Sequence, residues 1–146
     1  GDSERQEKLF LRGFFDHLLL AASGRPAAYH AAYLVYANGL CREITFLPIE
    51  PADARDYLGR LAADLLTGPH TYLLPCEAVF LARESPEQRI EDVVEHVLRR
   101  PSCSSRYGPI LRLEGFRAPC EEDARTMIQR RFGPFFARVL PDMQLP

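Results

Sequence analysis

Ala31-Ala32-Tyr33-Leu34-Val35-Tyr36, then Asn38-Gly39, then Cys41-Arg42-Glu43-Ile44-Thr45-Phe46: the reading of these residues decides the fold class. Aromatic and β-branched side chains pack well on a pleated surface, so both flanks predict strands. Asn-Gly between them is the dipeptide of a type I′ turn, which needs positive φ at both central positions. A hairpin is therefore expected from Tyr29 to Leu47. Its second strand alternates only loosely and reads as half-exposed. Most of the remaining chain reads as helix or loop, which makes the class α+β, with helices packed on a small sheet that contains the hairpin.

Upstream, residues 4 to 22 predict a helix. Leu11, Phe15, Leu18 and Ala22 recur at helical spacing, and Phe10, Phe14 and Leu19 widen the stripe. Gly24 ends it and Pro26 prevents continuation. Asp16 and His17 are sequence neighbours and diverge on the helix surface, so they make no dyad. Downstream, Pro48 and Pro51 mark a boundary. Pro51 suits a first helical position and Asp53 favours the helix N-terminus. Tyr57, Leu58, Leu61, Leu65 and Leu66 form the apolar stripe of a helix over 51–66, which Gly68-Pro69 stops.

The longest nearly apolar run follows: Tyr72-Leu73-Leu74-Pro75-Cys76-Glu77-Ala78-Val79-Phe80. His70 to Leu74 is short enough to be a strand. Pro75 fits the first position of a helix reaching Phe80 or Arg83, with Glu77 in its first turn, where a carboxylate can accept backbone amides. Ser85-Pro86-Glu87-Gln88 has the pattern of a capping box with proline inside the start. It predicts a helix that buries Ile90, Val93, Val94, Val97 and Leu98 and ends at Arg99-Arg100. Residues 101–118 read as a long loop. Pro119 opens a last helix, with Glu121 paired to Arg125 and Ala124, Met127, Ile128 and Phe132 inward. Gly133-Pro134 is expected to break it, leaving Phe135-Phe136 in a final short segment.

The chain has 146 residues, 47% hydrophobic content and a formal net charge of −2. That suits one ordinary domain and argues against a free-standing nucleic-acid binder that relies on bulk charge. Seventeen of the basic residues are arginine and only Lys8 is lysine. Arginine favours bidentate contacts at interfaces, but a GC-rich genome gives the same bias. The four cysteines, Cys41, Cys76, Cys103 and Cys120, lie 35, 27 and 17 residues apart. No CxxC pair indicates zinc or a redox motif, and their density is not that of a disulfide scaffold. Reduced thiols and a cytoplasmic location are the expectation. Gly1-Asp2-Ser3, without an initiating Met, reads as an entry into the middle of a longer protein.

Chemistry is thin. A metal-dependent nuclease would want carboxylates and a lysine converging, as in an Asp followed by Glu-x-Lys on adjacent strands. Glu43 stands on the hairpin, but position 45 is Thr, and Glu43 reads as a surface residue. Cys76 near a helix N-terminus could be an activated thiol with His17, His30, His70 or His96. Cysteine is also among the most buried residue types, which is the ordinary reading. Arg99, Arg100, Arg106, Arg112, Arg130 and Arg131 could gather phosphates, although interleaved acids dilute them. Glu77, Arg99, Arg100, Arg130 and Arg131 are the candidate partner-binding residues. No catalytic, metal or cofactor-binding residue is expected.

The order helix, hairpin, helix, apolar strand, helix resembles the C-terminal part of RecC-like proteins, the gamma subunit of exodeoxyribonuclease V. The matching stretches are Leu11-Arg12-Gly13-Phe14-Phe15-Asp16-His17-Leu18-Leu19-Leu20, Thr45-Phe46-Leu47-Pro48, the helix Ala54 to Leu66, and Gly68 running on to Tyr72 through Phe80. They cover residues 7–84, the expected core. Residues 85–146 would be a helical extension with the loop at 101–118. The resemblance implies a restriction-endonuclease-like fold without its catalytic residues, serving as scaffold in a helicase–nuclease complex that processes double-strand breaks. It implies a RecB-like partner, DNA reached through the complex, and no cofactor, membrane or small-molecule substrate. The opening strand and Asp of the nuclease core have no counterpart here and would lie upstream. An active nuclease domain and an unrelated protein-binding module are the alternatives.

Overall fold

The structure, a computed structural model, describes residues 7–25, 27–35, 38–67, 74–99 and 119–139. In order these form α1 (Glu7–Ala22), β1 (His30–Val35), β2 (Cys41–Phe46), α2 (Pro51–Thr67), α3 (Cys76–Glu84), α4 (Ile90–Leu98) and α5 (Glu121–Arg138). The class is α+β, with helices packed on a two-stranded antiparallel sheet. The chain divides into two compact units, Gly1–Gly68 with Arg131–Pro146, and Pro69–Arg130. These do not coincide with the 7–84 and 85–146 division that the resemblance suggests. The expected strand at His70 to Leu74 lies outside the described residues apart from Leu74, as does the loop at 101–118.

In the first unit the hairpin has two distinct faces. Pairing of His30 with Phe46, Ala32 with Ile44 and Leu34 with Arg42 makes the inner face. Ile44 and Phe46 are fully buried there. Ala31 with Thr45, Tyr33 with Glu43 and Val35 with Cys41 make the outer one. The turn differs from expectation. Val35 pairs with Cys41, so five residues connect the strands; of those described in the connection Gly39 has positive φ (82°), and no non-glycine residue among those described does. A two-residue type I′ turn is excluded. Instead the Asn38 side-chain oxygen accepts the Leu40 amide at 3.1 Å, the local bond asparagine makes in wider turns.

α1 lies on the inner face. Its buried residues are Phe10, Phe14, His17, Leu18 and Ala21, while Phe15, Leu19 and Leu20 are exposed. The apolar stripe expected through Leu11 and Phe15 is thus rotated by about one residue. Phe14 packs edge-on against Phe135 (5.1 Å between ring centroids) and tilted against Phe46 (5.8 Å) and Tyr57 (6.2 Å). In α2 burial is confined to Ala54 and Tyr57, and Leu65 and Leu66 point to solvent rather than continuing the stripe.

The last helix corrects the reading of Gly133-Pro134 as a break. α5 runs through Pro134 to Arg138. An interior proline lacks the amide that would bond the carbonyl four residues back and crowds the preceding turn. The Tyr57 hydroxyl ties the helix to α2 beside the defect, at the Arg131 carbonyl, one residue on from the Arg130 carbonyl that Pro134 cannot bond. Phe135 is fully buried in the same unit, so packing holds the helix past the defect. Beyond it, Val139 bridges Phe46 and the Leu47 amide donates to the Arg138 carbonyl at 2.7 Å.

In the second unit α3 and α4 pack together, with Ala78, Ile90, Val93, Val94, Val97 and Ala124 as the core and Leu74, Leu81, Ala82, Leu98 and Ile128 around it. Three helix starts differ from expectation. Pro75 is the residue before α3, in extended conformation, so Cys76 is its first position. Pro119 likewise precedes α5, which starts at Glu121. Ser85 closes α3 rather than capping α4, and the Gln88 amide folds back onto its carbonyl at 3.0 Å. The cap for α4 comes from another element: Glu121 Oε2 accepts the Ile90 amide at 2.7 Å, while Oε1 holds Arg125 at 2.5 Å. Glu121→Ala is therefore expected to lower stability by about 1 kcal/mol. Glu121→Gln, which keeps an acceptor, should fall between it and the native chain in urea unfolding followed by circular dichroism.

Candidate interaction surface

The outer face of the hairpin joins exposure to low charge. Tyr33 and Val35 are 59% and 71% exposed, and Leu40 in the connection is 64% exposed. Among Ala31, Tyr33, Val35, Cys41, Glu43 and Thr45, Glu43 alone is charged. Its Oε1 accepts the Tyr29 hydroxyl and, at 3.2 Å, the Thr45 hydroxyl. The bond to Glu43 is the chief reason the Tyr29 phenol is pushed up to about 12. Glu43 is thus a surface carboxylate committed to two hydroxyls.

The two edges of the sheet differ. The β2 side is met by Val139 and Arg138. Along β1 no further strand pairs among the described residues. An unpaired edge presents a row of backbone donors and acceptors, and proteins usually blunt such edges with charge or proline. His30-Ala31-Ala32-Tyr33-Leu34-Val35 carries no carboxylate, lysine, arginine or proline.

Beneath the hairpin lies an imidazole pair, with His17 buried and His30 half-buried. His17 is the one buried polar or charged residue among those described, 1% exposed. Its Nε2 is 2.9 Å from the Leu47 carbonyl, and its Nδ1 is 3.2 Å from His30 Nδ1. The His17 ring stacks on Phe46 (5.7 Å between centroids, 25° between planes). Burial lowers its pKa from 6.5; the Leu47 bond opposes this, and His30 and Arg138 add to it by repulsion.

The predicted partner-binding residues that are described stand on α3, at the end of α4 and on α5. Glu77 is half-buried in the first turn of α3, where its charge suits the helix N-terminus. Arg99 ends α4 and pairs with Glu95 at 3.1 Å. Arg131 pairs with Asp64 at 3.5 Å inside the first unit, and Arg130 is exposed on α5. Arg100, Arg106 and Arg112 lie outside the described residues, as do Cys103 and His70. Cys41 and Cys120 are exposed and Cys76 is half-buried, none of them in a disulfide. Among the described residues no cluster of three or more His, Cys, Asp or Glu could hold a metal ion, and no helix is long and apolar enough to cross a membrane.

The His17–His30 pair escaped sequence reasoning, because nothing in the primary structure aligns one histidine inside a helix with another at a strand start. The one signal was available: His17 falls between Phe14 and Leu18 on the same helical face. Comparison with known proteins finds no match among family models, curated proteins or solved structures.

Proposed function

We propose that the chain is a non-catalytic scaffold domain of a RecC-like subunit, acting in the cytoplasm within a helicase–nuclease complex for double-strand-break repair. The family part of this reading rests on the sequence resemblance over residues 7–84. The uncharged edge of β1, along which no strand pairs among the described residues, with Tyr33 and Val35 turned outward, carries the rest. A partner strand can add to such an edge, with backbone bonds giving affinity and alternate side chains giving specificity. Tyrosine is also among the residues that dominate binding energy at interfaces. The partner is a RecB-like helicase–nuclease subunit. Contact with DNA, through the complex and a channel wall, would fall to arginines such as Arg99 and Arg130.

Co-expression with a RecB-like subunit tests this. The native chain should co-purify with it, and Tyr33→Ser with Val35→Lys should weaken the complex at least tenfold, about 1.4 kcal/mol. The unfolding midpoint should stay near the native value, because both side chains are more than half exposed. No complex, or one indifferent to the double substitution, overturns the proposal. Metal-dependent cleavage of single-stranded DNA that Glu43→Ala abolishes would replace it with the nuclease reading.

A further inference from the structure

We propose that His17 and His30 form a proton-operated lock beneath the hairpin, closed while at most one ring is charged and opened when both are. The hydrogen-bond geometry assigns the protons. A carbonyl oxygen only accepts, so His17 Nε2 carries hydrogen toward Leu47, 2.9 Å away. In a neutral ring the other nitrogen is then bare. His17 Nδ1 must accept, and His30 Nδ1, 3.2 Å away, must donate. One added proton fits on His30 Nε2 and leaves both bonds in place. A second has only His17 Nδ1 to occupy. There it meets the His30 N–H, donor against donor, with two cations side by side in a partly buried site.

Among the described residues no acidic group acts on that second charge, and the Leu47 carbonyl alone favours it. The charged or titratable groups acting on His17 are His30 from β1 and Arg138 from α5, both repulsive. Arg138 Nε is buried with no hydrogen-bond partner among the described residues. From β2 and its exit come only the Phe46 ring and the Leu47 carbonyl. The pair also sits where several elements are tied. His17 belongs to α1, His30 opposes Phe46 across the hairpin, and Leu47 donates its own amide to Arg138 at the end of α5. Charging both rings breaks the Nδ1 bond at the base of the hairpin and loosens its junction with α1 and α5.

The sign follows from linkage. The folded chain resists a proton on His17 that the unfolded chain accepts at 6.5. The stabilisation is complete above that value. It is lost progressively as pH falls from 6.5 toward the lower folded value. One differential proton sets a limit of about tenfold in the folding constant per pH unit. The lock does not depend on the scaffold reading.

Two measurements on the full chain test it. Imidazole nitrogen NMR near neutrality should show His17 protonated at Nε2 alone and His30 at Nδ1. On acidification, charging of His17 should coincide with loss of exchange protection at the Leu47 amide. In urea unfolding the native folding constant should fall with pH below 6.5, approaching the one-proton limit, and His17→Gln should remove most of that slope. Equal slopes in the two chains overturn the lock. So does the reverse tautomer assignment, or His17 charging while Leu47 stays protected; these NMR outcomes stand even if the variant fails to fold.

Discussion

Phe14→Ala should destabilise the first unit by about 3–5 kcal/mol, enough to consume much of the stability of a small domain. The ring is 0% exposed and touches aromatic side chains from three other elements: Phe46 of β2, Tyr57 of α2 and Phe135 of α5. Its removal leaves a cavity that rigid rings cannot collapse into, and each lost aromatic pair adds about 0.5–1.5 kcal/mol to the area term. Phe14→Leu keeps most of the volume and should cost less. Phe15→Ala, one position along and 39% exposed, is the control for helix phase and should cost less than about 1 kcal/mol. Urea unfolding monitored by circular dichroism reads all three. A Phe14→Ala cost below that of Phe15→Ala would mean the wrong face of α1 has been placed on the hairpin.

That contrast also shows where the sequence was legible. The hairpin was readable because two strand-rich runs flank turn residues, but the loose alternation of the second strand did not single out Ile44 and Phe46 as its buried pair. The helices were readable from spacing and proline punctuation, to within a few residues at their ends. The phase of α1 was misread because hydrophobic counting assigns His17 to the polar side. The residue is buried only because a carbonyl and a second imidazole satisfy it. The end of α5 was misread for a related reason. Gly133-Pro134 is a break by local rules, and tertiary contacts from Tyr57 and around Phe135 override it. The start of α4 was misplaced because its cap, Glu121, is 31 residues away. In each case the deciding partner is distant in sequence, where no local pattern can announce it. The interaction surface was legible only as strand composition, since an unpaired edge is a property of the assembled sheet.

Gly13→Ala should destabilise the chain by about 2 kcal/mol, although helix propensity alone favours alanine by about 1 kcal/mol. A Cβ on Gly13 would sit 2.8 Å from Ala32 Cβ and 3.4 Å from the Phe46 ring. The first distance is shorter than two methyl groups tolerate. Ala32 Cβ is bonded directly to the β1 backbone and has no rotamer to adopt, so α1 or the hairpin must move. Movement there would carry Phe14 and His17 with it, since both lie within one helical turn of Gly13. Ala32→Gly alone should cost about 0.5–1 kcal/mol, the usual loss for glycine in a strand. Combined with Gly13→Ala it removes the opposing methyl, so the double variant should be more stable than the sum of the single costs by at least about 1 kcal/mol. A stabilising Gly13→Ala, or strictly additive costs, would show that helix and hairpin are not in contact at this point and that propensity governs position 13.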